Sequence, residues 1–234
     1  MATATETIKT KFGAATVLPA GAGQLPIHKM ANWMWLPMLM MGAMSLMTAI
    51  GLGIAQANVG DSLGEEFTAL RQANFETLGP LVRAFLFLGM ALLLTGIAFL
   101  LGTILGALRW GGGEVQESVG GPVKTLKMPL TAKIFIVLMM MGLMTELVAF
   151  GTMIYVANQA HSAWISAAGI DSPGDTAALH NAITYGAWAG PLRLVAVGMI
   201  LTSIAFALYT ISNVLGFQFS RIRELITGQE EGGS

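Results

Sequence analysis

The chain has 234 residues, 54% of them hydrophobic and only 11% charged, with a formal net charge of −1. Soluble domains carry about a quarter charged residues, so the deficit points to a bilayer as the solvent. The near-zero charge excludes bulk electrostatic binding of nucleic acid, and the absence of cysteine excludes disulfides, thiolate catalysis, cysteine-ligated zinc and iron–sulfur clusters.

Residues 1–30 read as a flexible arm rich in Ala, Thr, Gly and Pro, without the apolar run of a signal peptide. The first expected span covers residues 31–57. Trp33 and Trp35 stand at its start, where indoles favour the membrane interface. Pro37 falls in its first turns, where a missing backbone donor costs least. Residues 58–78 are polar and acidic, with Asp61, Glu65, Glu66 and Glu76. Ser62 and Glu65 have capping-box spacing, and Leu63, Phe67, Leu70 and Phe75 share one apolar face. A short amphipathic helix is expected there, on the membrane surface or against a partner.

The second span is expected over residues 80–108, opened by Gly79-Pro80 and closed by Trp110 and the glycines at 111–113. Residues 111–129 read as a loop, and residues 130–158 as the third span. The longest connection follows, residues 159–189, where Ser172-Pro173 opens a second short helix through His180. The last span is residues 191–217, and residues 218–234 form a polar tail.

The spans repeat. Met40, Met41, Gly42, Met44, Ala49, Gly51, Ile54, Ala57 and Asn58 recur about one hundred residues later as Met140, Met141, Gly142, Met144, Ala149, Gly151, Ile154, Ala157 and Asn158. Thr95-Gly-Ile-Ala-Phe likewise matches Thr202-Ser-Ile-Ala-Phe. Spans two and four both open with Gly-Pro-Leu and an early arginine, Arg83 or Arg193. The expected architecture is an all-α integral membrane protein with four transmembrane helices. It is a tandem parallel duplication of a two-helix unit, residues 31–110 and 130–217, with short amphipathic helices in both outer loops. Lysine and arginine cluster in the arm, the middle loop and the tail, so both termini are expected to be cytoplasmic.

Glu146 is the main polar departure from the repeat, since Leu46 stands at the matching position. Intramembrane acids face a bundle interior or a cavity. Gly142, Ala149 and Met153 share its helical face, which marks a side packed against protein. Two roles follow: a proton or cation site, or a protonated carboxyl donating to Thr95, Thr202, Ser203 or Asn213 on another span. Arg83 and Arg193 occupy matching outer positions, where two guanidiniums could hold an anion or reach lipid phosphate.

Met40/Met44 and Met140/Met144 form matched Met-x-x-x-Met pairs. Over five residues in each copy they resemble the membrane motif of high-affinity copper transporters, and the resemblance implies thioether ligation of Cu(I). Packing is their expected role. Gly42 and Gly142 are expected at equivalent close helix contacts. Gly102-x-x-x-Gly106 is not repeated, since Tyr209 and Asn213 stand at its counterpart, so this small face is expected to meet a different chain. His161, Asp171, Asp175 and His180 match no compact ligand motif and read as solvated loop residues.

No nucleophile–base pair, phosphate loop or haem ligation pattern is present, and no cofactor is indicated beyond bound lipid. The expected function is a non-catalytic structural or accessory subunit of a larger membrane complex. The alternatives are a small transporter or channel using Glu146, and a membrane anchor for a lipophilic cofactor beside a catalytic partner. The expected partners are the lipid bilayer and other membrane subunits.

Overall fold

The computed structural model describes residues 7–10, 13–17, 26–120, 123–126, 128–169 and 171–227, with side chains described from Met30 onward. Four long helices dominate: α1 Pro26–Glu65, α2 Ala69–Ser118, α3 Leu130–Trp164 and α4 Thr176–Thr227. Each is long and apolar enough to cross a membrane, which fits a multi-pass membrane protein. A helix satisfies every backbone N–H and C=O within its own segment, as a hydrocarbon solvent requires. Three short strands, β1 Thr7–Thr10, β2 Gly13–Val17 and β3 Lys124–Leu126, form an antiparallel sheet in the order β1-β2-β3.

All four helices contribute to each of two compact units. One comprises Leu36–Gly96 and Met140–Leu201. The other comprises Met1–Trp35, Ile97–Met139 and Thr202–Ser234.

In the first unit, α1 and α2 run antiparallel, with Leu39 against Gly96, Leu46 against Gly89, Gln56 against Gly79 and Phe75 against Gly60. Ser45 Oγ donates to the Phe85 carbonyl at 2.9 Å. Between α3 and α4, Gly142 meets Ala196 and Ile200, and Val156 meets Gly186. Small residues let helix backbones approach closely, which supplies much of the association energy where lipid cancels the hydrophobic drive. Ala84, Met153, Val156, Ala160, Ala182 and Ala189 form a buried cluster, with Phe150 packed against it.

In the second unit the fully buried Gln116 is the joint. Its Nε2 donates to the Lys124 carbonyl at 3.1 Å and to Gln218 Oε1 at 2.9 Å, and its Oε1 accepts the Lys124 N–H at 2.8 Å. One side chain thus fastens β3 to α2 and α4. Leu126 adds an apolar contact to Val214 and Phe217. Replacing Gln116 by Leu leaves these groups unpaired in a buried place, which should cost about 1–3 kcal/mol. Faster amide hydrogen exchange at Lys124 would register it, and unchanged exchange would contradict this role.

Several boundaries differ from the sequence reading. The two segments expected to be outer hold no separate short amphipathic helices among the described residues. Residues 58–65 continue α1, and α2 starts at Ala69. Ser62 does not cap a helix, because its hydroxyl bonds back to the Val59 carbonyl inside α1. Thr68 caps instead, accepting the Arg71 N–H at 3.2 Å. Before α4, Asp175 is the cap, accepting from the Ala177 and Ala178 N–H groups, and helix runs unbroken past His180 and Pro191.

The glycines at 111–113 do not end α2. A Cβ on Gly112 would overlap the Gln218 carboxamide, so that glycine is there for close packing. The helix ends at Ser118, and Gly120 follows with φ +81°, a left-handed conformation that glycine adopts without strain. The middle loop holds strand β3, and the arm expected to be flexible contributes β1 and β2. The remaining residues before Pro26 lie outside the described set. The tail is helical to Thr227, with Gln218 and Arg221 buried and Arg221 paired with Glu224. Residues 228–234 lie outside the described set.

Candidate functional site

Glu146 projects from α3 with no exposed surface, and Gly142, Ala149 and Met153 on the same face are also buried. Neither carboxylate oxygen has a hydrogen-bond partner among the described residues. The expected bond to Thr95, Thr202, Ser203 or Asn213 is therefore corrected. The helix register explains this for α4. Gly142 lies against Ala196 and Ile200, and α3 and α4 are antiparallel, so one turn further along α3 puts Glu146 level with residues 192–196. Thr202 and Ser203 lie about two turns along α4 from Ala196, out of a glutamate's reach. Thr95 on α2 is itself fully buried, and its hydroxyl oxygen has no partner either.

The residue of α4 level with Glu146 is Arg193. It is only 3% exposed. Its Nε donates to the Ala189 carbonyl at 3.2 Å, and its guanidinium carbon lies 4.7 Å from the centre of the Phe87 ring. Nη1 is buried without a partner. Its charge interacts with that of Glu146 and also with that of Arg83. Phe85 and Phe150, with ring centres 5.2 Å apart and edge to face, pack α2 against α3 in the same unit.

The surroundings carry little other charge. No titratable residue lies between Lys29 and Asp61 in α1. Arg83 is the only one between Glu76 and Arg109 in α2, Glu146 the only one between Lys133 and Tyr155 in α3, and Arg193 the only one between Tyr185 and Tyr209 in α4.

Comparison with family models, with curated proteins and with solved structures finds no match.

The glycine contacts give a register that the sequence reading missed. A Cβ on Gly42 would lie 2.9 Å from Leu93 Cγ, 2.9 Å from Leu93 N and 3.0 Å from Gly89 O. On Gly142 it would lie 2.7 Å from Ile200 Cγ1, 3.2 Å from Ile200 N and 3.0 Å from Ala196 O. Leu93 and Gly89 therefore stand to Gly42 as Ile200 and Ala196 stand to Gly142. Carried along the helices, the same register pairs Thr95 with Thr202, Arg83 with Gly190, and Leu86 with Arg193. Arg83 and Arg193 are thus not at matching positions. Arg193 lies one turn deeper, and the two residues that depart together are Leu46 to Glu146 and Leu86 to Arg193. The Thr95/Thr202 match, counted back without a gap, was the available signal. The shared Gly-Pro-Leu openings drew the alignment elsewhere.

The other candidates do not join this pair. Arg83 is exposed, with its Nε donating to the Gly79 carbonyl at 3.3 Å. Met40, Met44, Met140 and Met144 are all exposed. Gly102 faces this chain's own α1, where its Cβ would lie 3.5 Å from that of Ala31, and Gly106 is buried. The expectation that this glycine face meets a different chain is corrected for Gly102. Among the described residues no three His, Cys, Asp or Glu side chains are grouped to hold a metal ion.

Chemically, the pair joins one group that changes charge to one that does not. A carboxyl can gain or lose a proton, whereas a guanidinium stays cationic in proteins. Each proton that reaches Glu146 therefore unmasks the charge of Arg193.

Proposed function

We propose that this chain is a four-span membrane transporter that takes up and releases a proton at Glu146. One observation carries the reading: a fully buried carboxylate, with neither oxygen hydrogen-bonded, within electrostatic range of an equally buried arginine. Intramembrane acids in protein interiors mark ion pathways and proton relays. A glutamate kept only to tie helices together would hold a hydrogen bond to a neighbouring span.

The surrounding architecture, on this reading, is a tandem parallel duplication. The equivalent contacts of Gly42 and Gly142 support it. The first copy keeps Leu46 and Leu86, and the second carries the charged couple. Lysine and arginine placement favours cytoplasmic termini, which sets the working direction. The exposed Arg83 suits a lipid headgroup at the outer interface.

A second reading, an accessory subunit of a larger membrane complex, has its own support. The span of α1 is the least covered of the four, and it exposes Trp33, Met40, Met44, Met47 and Ile50. Lipid or a partner subunit would cover them equally well.

Proton flux in proteoliposomes under an imposed pH gradient separates the two. The native chain should carry flux, and Glu146→Gln should abolish it while keeping its circular dichroism and elution profile. Undiminished flux in Glu146→Gln overturns the transporter reading. A native chain without flux that co-purifies with fixed partner chains favours the accessory subunit.

A further inference from the structure

We infer that Arg193 is the binding site for a small monovalent anion, occupied together with a proton on Glu146. The inference rests on the proton site proposed above and names what accompanies the proton.

The reasoning starts from charge. With Glu146 ionised, the Glu146–Arg193 couple is neutral, and an incoming anion must compete with a fixed carboxylate. With Glu146 protonated, the guanidinium has no counter-charge in its buried place, where an isolated charge is costly. A metal cation at Glu146 would face the positive charge of Arg193 with no second acid to help. The charged groups on the packed helices agree: α4 brings Arg193, α2 brings Arg83, whose charge bears on Arg193, and the span of α1 brings nothing titratable. The local field therefore favours an anion over a metal ion as the proton's companion.

Geometry supports the same assignment. The Nε of Arg193 is engaged by the Ala189 carbonyl and one face of its guanidinium by the Phe87 ring, which holds the group in place. Its Nη1 is buried and unpartnered. A charge-assisted hydrogen bond from Nη1 to an anionic oxygen or halide would satisfy it. Arg83 lies exposed within electrostatic range and would raise the local anion concentration. The register adds a further point. The first copy has leucine at both matching positions, so the acid and the arginine belong to one device.

Proton and anion must then help each other to the same degree, because binding coupling is reciprocal. The test uses the full chain in a phosphate-free maltoside micelle, which removes lipid phosphate as a competitor. Sodium nitrate is added to a weakly buffered sample with a pH indicator, against sodium gluconate as the bulky control. The native chain should take up to about one proton per chain on saturation with nitrate. Calorimetric nitrate affinity should fall about tenfold per pH unit wherever Glu146 is ionised.

Glu146→Gln should bind nitrate independently of pH and without proton uptake. Arg193→Gln, and the double variant Glu146→Gln/Arg193→Gln that keeps side-chain size without buried charge, should not bind nitrate. Nitrate binding that survives Arg193→Gln overturns the inference. So does native protein that carries Glu146-dependent proton flux but neither binds nitrate nor takes up protons, a result that leaves the proposed function intact. Flux unchanged by Glu146→Gln fails the proposed function itself.

Discussion

Replacing Glu146 by Leu should destabilise the protein severely, and replacing Arg193 by Leu as well should restore it. The single change leaves a guanidinium that is 3% exposed facing an apolar side chain, without the counter-charge of glutamate or the polar oxygen that glutamine would keep, and with no means of losing its own charge. Leaving a buried charge uncompensated costs up to about 3–5 kcal/mol. Arg193→Leu alone should cost less, because Glu146 can then take a proton and become neutral. The double variant places leucine at both positions, as at positions 46 and 86, which the proposed duplication pairs with them. Well-packed apolar replacements of buried pairs are neutral or stabilising by about 1–4 kcal/mol. Denaturation by dodecyl sulfate in mixed micelles measures all four corners of the cycle. Additive losses in the double variant would show that the two side chains do not act as a couple.

The second large effect belongs to the glycines. Gly42→Ala and Gly142→Ala should each lower stability by about 1–3 kcal/mol, the usual cost of overpacking. The obstacles include backbone atoms, Leu93 N and Gly89 O in one case and Ile200 N and Ala196 O in the other, so the helices themselves must separate. Gly51 and Gly151 are also repeated, but nothing lies within 4 Å of a Cβ at either. Alanine there should be neutral or stabilising by up to about 1 kcal/mol, through helix propensity alone. The same denaturation assay reads all four variants. Equal effects at the two pairs of sites would mean that the contacts at Gly42 and Gly142 are not as tight as described.

The spans were legible because hydrophobic length is a strong signal and bilayer thickness sets its scale. Gly42, Gly142 and Glu146 were legible too. A small residue repeated in register marks a close helix contact, and a lone acid in an apolar run marks a face turned towards protein. Helix ends were not legible. Gly111–Gly113 and Ser62 carry the chemistry of a stop and a cap, yet the packing of Gln218 over Gly112 and the back-bond from Ser62 to Val59 keep both inside helices. Strand β3 and the Gln116 joint were invisible because they depend on contacts between distant segments. Arg193 is the instructive case. Near the start of an apolar run an arginine normally snorkels, and only the helix register set by Gly142 shows that this one is held level with Glu146.

The proton site is tested most directly by infrared difference spectroscopy of the purified chain across a pH titration. A protonated-carboxyl band should grow as the pH falls, vanish in Glu146→Gln and shift in Arg193→Gln, since the guanidinium is the nearest charge the carboxyl feels. A titration with no such band, or a band that persists in Glu146→Gln, would contradict proton exchange at Glu146.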